Sequence, residues 1–178
     1  MTEPTAPTAR TRGNAPSLTL PGVLLGVGLG GFVDGIVLHQ MLQWHHLLSG
    51  TDHDRVGIPF YPVDTVAGLE MNTLWDGVFH AVAWMSVLAG LVVLASRTRR
   101  AAPWSWTSRA LWGAVLVGWG LFNLVEGIVD HHLLGIHHVR SGPHETWYDL
   151  GFLALGALLV LAGRRLARTE PGAGPGDG

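Results

Sequence analysis

Residues 32–48 read FVDGIVLHQMLQWHHLL, and residues 124–140 read LVEGIVDHHLLGIHHVR. The two segments align without a gap, so their carboxylates and histidines recur at one spacing. The aligned pairs are Asp34 with Glu126, His39 with His131, His45 with His137, and His46 with His138. We therefore predict an internal repeat that places the same chemistry in the chain twice.

A weaker match extends the repeat to a second pair of segments. TLWDGVFHA at residues 73–81 aligns with TWYDLGFLA at residues 146–154, which pairs Asp76 with Asp149 and Phe79 with Phe152. Each half then reads as a helical hairpin. Since the first helices of the two hairpins run in the same direction, we expect a pseudo-two-fold axis along the membrane normal.

The composition indicates a membrane protein. Among 178 residues only 13% are charged, against roughly 25% in a soluble domain, and mean hydropathy is +0.30. The apolar stretches predict an all-α integral membrane fold with spans at about 19–48, 66–96, 108–136 and 145–166. Residues 1–18 and 167–178 are predicted to be disordered tails. This length excludes a large multidomain enzyme.

Charge and cysteine usage exclude several functional classes. The net charge is -2, and no lysine is present, so we expect no nucleic-acid partner. The chain has no cysteine, which excludes disulfides and thiolate ligands. Nine of the 11 arginines fall on one side of a four-span topology, and only Arg55 and Arg140 fall on the other. The positive-inside rule then predicts cytoplasmic termini and outward-facing histidine loops.

Ionisable residues inside a membrane are costly and mark functional sites. Imidazole and carboxylate ligands without sulfur suit zinc, iron or copper(II). The candidate ligands are His39, His45, His46, Asp76, His80, Glu126, Asp130, His131, His137 and His138. The candidate supporting or structural residues are Asp34, Asn72, Asn123, Tyr148 and Asp149.

The repeat bears on how many ions such a site would hold. Two equivalent half-sites predict either a dinuclear centre or two separate mononuclear sites. At about 100° per residue, an α-helix would put Asp34 and His39 on stripes about 140° apart. The adjacent histidine pairs would each direct one ring inward.

These patterns favour a non-enzymatic metalloprotein that binds a transition metal near the outer face and passes it on or senses it. One alternative is a membrane oxidoreductase with a dinuclear centre. Another is a haem protein in which His39 or His131 faces His80. A proton relay, or a polar network that only holds the helices together, completes the alternatives. Oligomeric state does not follow from these patterns.

The motifs DGIVLHQMLQWHH, LWDGVFHA and NLVEGIVDHHLLGIHH resemble a bacterial family of four-span membrane proteins, domain of unknown function 2243. The resemblance covers residues 21–163. It implies the bacterial cytoplasmic membrane as location and lipids as neighbours, and it brings no established activity. It also implies association with terminal-oxidase assembly proteins, which would favour copper as the metal.

Overall fold

The computed structural model describes residues 17–99 and 108–168 of the chain. All regular structure in these two ranges is helical, which confirms the predicted fold class. The helices are α1 Thr19–Val33, α2 His53–Val56, α3 Val66–Thr98, α4 Ser108–Glu126 and α5 Glu145–Arg168, and α1 and α4 continue as π-helices at Asp34–Met41 and Gly127–Leu134. Of the predicted tails at 1–18 and 167–178, residues 1–16 and 169–178 lie outside the described residues, whereas residues 167 and 168 belong to α5.

Four helices are long and apolar enough to cross a membrane. They span Thr19–Met41, Val66–Thr98, Ser108–Leu134 and Glu145–Arg168. The first and third are the more buried, because α1 packs on α4 at the centre of the bundle while α3 packs on α1 and α5 packs on α4. The site residues on the two central spans therefore face each other.

Glycines let the two central helices touch backbone to backbone. A Cβ atom on Gly26 would lie 2.0 Å from Val115 O, and one on Gly118 would lie 2.2 Å from Val23 O. Small residues at a membrane helix interface permit this close approach. The distance between α1 and α4, and with it the width of the site between them, depends on these glycines.

We expect Gly26→Leu to separate α1 from α4 and destabilise the protein by about 3 kcal/mol or more, since backbone cannot move aside for the added side chain. The thermal unfolding midpoint in detergent should fall by roughly 10 °C. The matched control is Gly77→Leu, because a Cβ on Gly77 meets nothing within 4 Å. Equal midpoints for the two variants would contradict the close packing.

The first span ends earlier than predicted. Its helix stops at Met41 rather than Leu48, and Gln43 then adopts a left-handed φ of 49°. The third span ends in the same way, with Gly135 at φ 61°. In both places the chain turns inward across the end of the bundle, so the histidines after the turn lie in loops and not on the helix.

Hydrogen bonds join the two inward-turning loops to each other. Gly50 N donates to Ile136 O at 2.8 Å. The first loop is also tied to the end of the third span, because Arg55 Nη2 donates to His132 O at 3.1 Å and Leu133 O at 3.0 Å. The loops therefore close one end of the four-helix bundle over its polar interior.

Candidate metal centre

Six buried side chains converge between the two central spans and beneath the two loops. They are Asp34, His39, His45, Glu126, His131 and His137, and each is at most 4% exposed. Their potential ligand atoms form three overlapping groups, in each of which the atoms lie within 4.8 Å of one another. The groups are His39, His45 and His137; Glu126, His131 and His137; and Asp34, His39 and Glu126. We call these six residues the centre.

The π-helical turn brings the first half of the centre together. Asp34 Oδ2 lies 3.0 Å from His39 Nε2, although an α-helix would put the two side chains on different stripes. A π-helix bonds residue i to residue i+5, so residues five apart return to one side. The predicted angle of about 140° is therefore wrong, because it assumed α-helical winding.

The centre lies where the two halves meet. The rings of His45 and His137 stack with centroids 4.7 Å apart and planes 6° apart. His45 Nε2 lies 3.9 Å from Asp34 Oδ2, and His137 Nε2 lies 3.7 Å from Glu126 Oε1. Each half thus supplies one carboxylate and two imidazoles to a common interior.

Asp76 orients the histidines of the first half from outside the centre. Its Oδ1 accepts from His39 Nδ1 at 2.9 Å and from Leu47 N at 2.8 Å. Its Oδ2 accepts from His46 Nδ1 at 2.6 Å and from Gln40 Nε2 at 3.2 Å. A carboxylate behind an imidazole sets its tautomer and orientation, so Asp76 turns His39 Nε2 towards the centre.

Asp149 makes the corresponding contacts in the second half. Its Oδ2 accepts from His138 Nδ1 at 2.7 Å, and its Oδ1 accepts from Val139 N at 2.9 Å. The same Oδ1 lies 3.2 Å from His131 Nδ1. The positions that align in the sequence therefore make contacts of the same kind around the centre.

His45 and His137 are held as neutral imidazoles. Each Nδ1 donates to a carbonyl of the opposite loop, His45 to Val139 O at 2.8 Å and His137 to Leu47 O at 3.1 Å. Burial lowers the pKa of His45 to about 4 and lowers the pKa of His137 well below its ordinary value. Both rings are therefore uncharged at neutral pH and present a lone pair at Nε2.

The low pKa of His45 predicts a pH dependence for the metal-free protein. Between pH 6.5 and about 4 the unfolded chain binds a proton at His45 that the folded chain excludes. The free energy of unfolding should therefore fall as the pH is lowered through this window. Thermal unfolding in detergent with a chelator measures it. His45→Gln should show a shallower slope, and identical slopes would contradict the assignment.

Five predicted ligands belong to the centre, and five lie outside it. Those outside are His46, Asp76, His80, Asp130 and His138. His46 donates to Asp76 and His138 donates to Asp149. His80 Nδ1 donates to Asp76 O at 2.7 Å within its own helix. Asp130 lines a cleft beside Glu126. In their place the structure adds Asp34, which the sequence reasoning had treated as a supporting residue.

The other predicted supporting residues have separate surroundings. Asn72 Nδ2 donates to Tyr61 O at 2.9 Å and to Gly68 O at 3.0 Å, so it fixes the loop before α3. Tyr148 OH accepts from Arg140 Nη1 at 3.0 Å. Asn123 is buried and lines a cleft that also reaches Asp34. None of these three takes part in the ligand groups of the described residues.

Sequence reasoning missed the aromatic side walls of the centre. The Phe79 ring stacks on His39 with centroids 5.4 Å apart, and the Phe152 ring lies 5.5 Å from His131. These two phenylalanines align in the weaker repeat match, and that alignment is the sequence signal from which the side walls could have been predicted. Their rings cover the outer flanks of His39 and His131.

Comparison with known proteins places the chain in a family. No curated protein and no solved structure matches it. The family described as "Predicted membrane protein (DUF2243)" matches residues 21–170, which include every residue of the centre and all four spans except the first two residues of the first span. The chain belongs to this family of membrane proteins, domain of unknown function 2243.

Proposed function

We propose that this membrane protein holds two divalent transition-metal ions in the six-residue centre. The observation that carries the proposal is a set of buried, mutually facing ligand atoms without hydrogen-bond partners among the described residues. They are His45 Nε2, Glu126 Oε1 and Oε2, His131 Nε2 and His137 Nε2, together with Asp34 Oδ2 and His39 Nε2, which lie 3.0 Å apart without hydrogen-bond geometry. Leaving each such group unpaired costs about 1–3 kcal/mol, whereas metal coordination would satisfy them all.

Charge balance supports two ions. Four carboxylates are buried in and around the centre, namely Asp34, Asp76, Glu126 and Asp149. Within the described residues, their ion-pair partners are all histidines. Two divalent cations would neutralise four carboxylates, and a membrane interior penalises any uncompensated charge.

The repeat divides the ligands into two sets. We assign Asp34, His39 and His45 to one ion, and Glu126, His131 and His137 to the other. Glu126 also groups with Asp34 and His39, which suits a carboxylate shared between ions. We further propose that the two sets are related by a pseudo-two-fold axis along the membrane normal.

The donor set limits the identity of the metal. Imidazole nitrogen and carboxylate oxygen suit iron, zinc or copper(II), whereas copper(I) prefers sulfur. The chain has no cysteine, and Met41 is 73% exposed. We propose one of these three metals in its divalent form.

The burial of the centre supports a retained metal in preference to one that is handed on. Ligand rings are fixed from behind by Asp76, Asp149 and two loop carbonyls, an arrangement that preserves coordination geometry. A dinuclear oxidoreductase is the second candidate, because clefts lined by apolar residues reach Asp34 and Glu126. A haem between His39 and His80 is disfavoured, since both ring nitrogens of His39 face carboxylates.

The arginine distribution supports an orientation for the centre. We propose cytoplasmic termini and a centre in the outer half of the bacterial cytoplasmic membrane. Association with terminal-oxidase assembly proteins stays a prediction.

Elemental mass spectrometry of the full-length protein, purified in mild detergent, tests the proposal. We expect two equivalents of one transition metal per chain, and a visible spectrum without a Soret band. A stable, folded protein that neither contains metal nor takes it up from added iron, zinc or copper would contradict the proposal. It would favour a structural polar network instead.

A further inference from the structure

A cleft of about 360 Å³ opens on the side of the bundle between α1, α4 and α5. Its walls are apolar and rich in aromatic rings, and its inner end reaches Asp34 and Asn123. The aromatic wall residues are Trp119, Trp147, Tyr148 and Phe152. Since these helices are long and apolar enough to cross a membrane, the opening between them suits a molecule dissolved in the lipid.

One polar group in this cleft has no role in the centre. Asn123 is 2% exposed, and its Oδ1 has no hydrogen-bond partner among the described residues. A buried carbonyl oxygen of this kind is satisfied only by a donor. No described wall residue donates to this oxygen, so a ligand in the cleft gains affinity by bringing a hydroxyl or amine to Asn123.

A second cleft provides a comparison. It has a volume of about 240 Å³ and is lined by Val27, Phe79, Phe122, Glu126 and Asp130, among others. In the repeat alignment, Gly31 stands opposite Asn123. The second cleft therefore has no amide at the corresponding position and carries the carboxyl group of Asp130. The two clefts differ in the chemistry that they offer to a ligand.

We infer that the cleft at Asn123 binds a lipid-dissolved aromatic molecule with a ring hydroxyl, of the hydroquinone class. The hydroxyl donates to Asn123 Oδ1, and the ring lies among the aromatic side chains. A planar ring suits these walls because aromatic pairs gain beyond the area they bury. Binding requires no metal ion, so the inference goes beyond the proposed function and survives its failure.

Calorimetric titration of the full-length protein in detergent, under nitrogen, tests the inference. The probes are a hydroquinone with a ten-carbon tail and decylbenzene, which has the same tail and no hydroxyl. We expect the hydroquinone to bind at one site, about tenfold more tightly than decylbenzene. Equal affinities would overturn the inference and identify the cleft as a place for acyl chains only.

Two variants locate the binding. Asn123→Leu should weaken hydroquinone binding about tenfold and leave decylbenzene binding unchanged. Gly151→Leu should block both probes, because Gly151 lines the cleft and its Cβ would meet nothing within 4 Å. Gly77→Leu on α3 is the matched control and should bind as wild type does. Full hydroquinone binding in Gly151→Leu would overturn the assignment to this cleft.

Metal analysis of the same samples separates the two proposals. Hydroquinone binding by a protein without metal supports this inference and contradicts the proposed function. Two metal ions in a protein that does not discriminate between the probes supports the function and overturns the inference.

Discussion

Replacing His39 and His131 together by alanine is expected to reduce bound metal from two ions per chain to none. Each histidine presents Nε2 to one half of the centre, and each is at most 3% exposed, so water cannot readily replace the lost ligand. Asp34 and Glu126 would retain one partner imidazole each, too few ligands to hold an ion tightly. Elemental mass spectrometry of the purified variant measures the loss.

Controls separate loss of ligands from loss of the fold. His53→Ala removes a histidine whose side chain is 70% exposed, and it should keep both ions. Circular dichroism and size-exclusion chromatography report whether the double variant remains folded. His39→Gln with His131→Gln retains more side-chain volume if the alanine pair fails to fold. Full metal content in a folded double variant would contradict the ligand assignment.

Asp76→Asn and Asp149→Asn are each expected to weaken the binding of one of the two ions and to leave the binding of the other unchanged. Asp76 accepts from the Nδ1 atoms of His39 and His46, and an amide has only one acceptor oxygen for these donors. His39 would lose its fixed orientation. Substitutions behind ligating histidines typically lower metal affinity 10–100-fold. Competition titration against a chelator should therefore resolve one tight and one weakened ion in each variant.

The two variants form a matched pair because Asp76 and Asp149 align in the repeat and support different halves. The double substitution should weaken the binding of both ions. Glu70→Gln is the control, since Glu70 is an exposed carboxylate on α3. If either single variant weakened the binding of both ions equally, the centre would not consist of two separable ligand sets. Unchanged metal affinity in both variants would show that Asp76 and Asp149 do not position the ligands.

The four helices could be predicted because hydropathy is a local property. A run of apolar residues about 20 long must form a helix in a membrane to satisfy its own backbone. The aligned pairs, such as His39 with His131, also made it possible to predict two equivalent half-sites with the same donors. Two of the three aligned histidine pairs, His39 with His131 and the stacked His45 with His137, lie in the centre.

The inner and outer roles of these residues were not predictable from sequence. Asp34 and Asp76 are both carboxylates on apolar helices, yet Asp34 belongs to the centre and Asp76 orients its histidines from outside. The difference arises because Asp76 lies on α3, where its oxygens meet His46 and Leu47 from another segment. No local pattern encodes a contact between residues about 30 positions apart.

The number of spans, the recurring donor positions and the lack of cysteine ligands follow from residue type and spacing alone. Folding brought the six side chains of the centre together. It did so through the π-helical turns at Asp34–Met41 and Gly127–Leu134 and through loops that bond to each other across the bundle. Winding and loop pairing are set by contacts between distant segments, so an assumed α-helical geometry could not reproduce them.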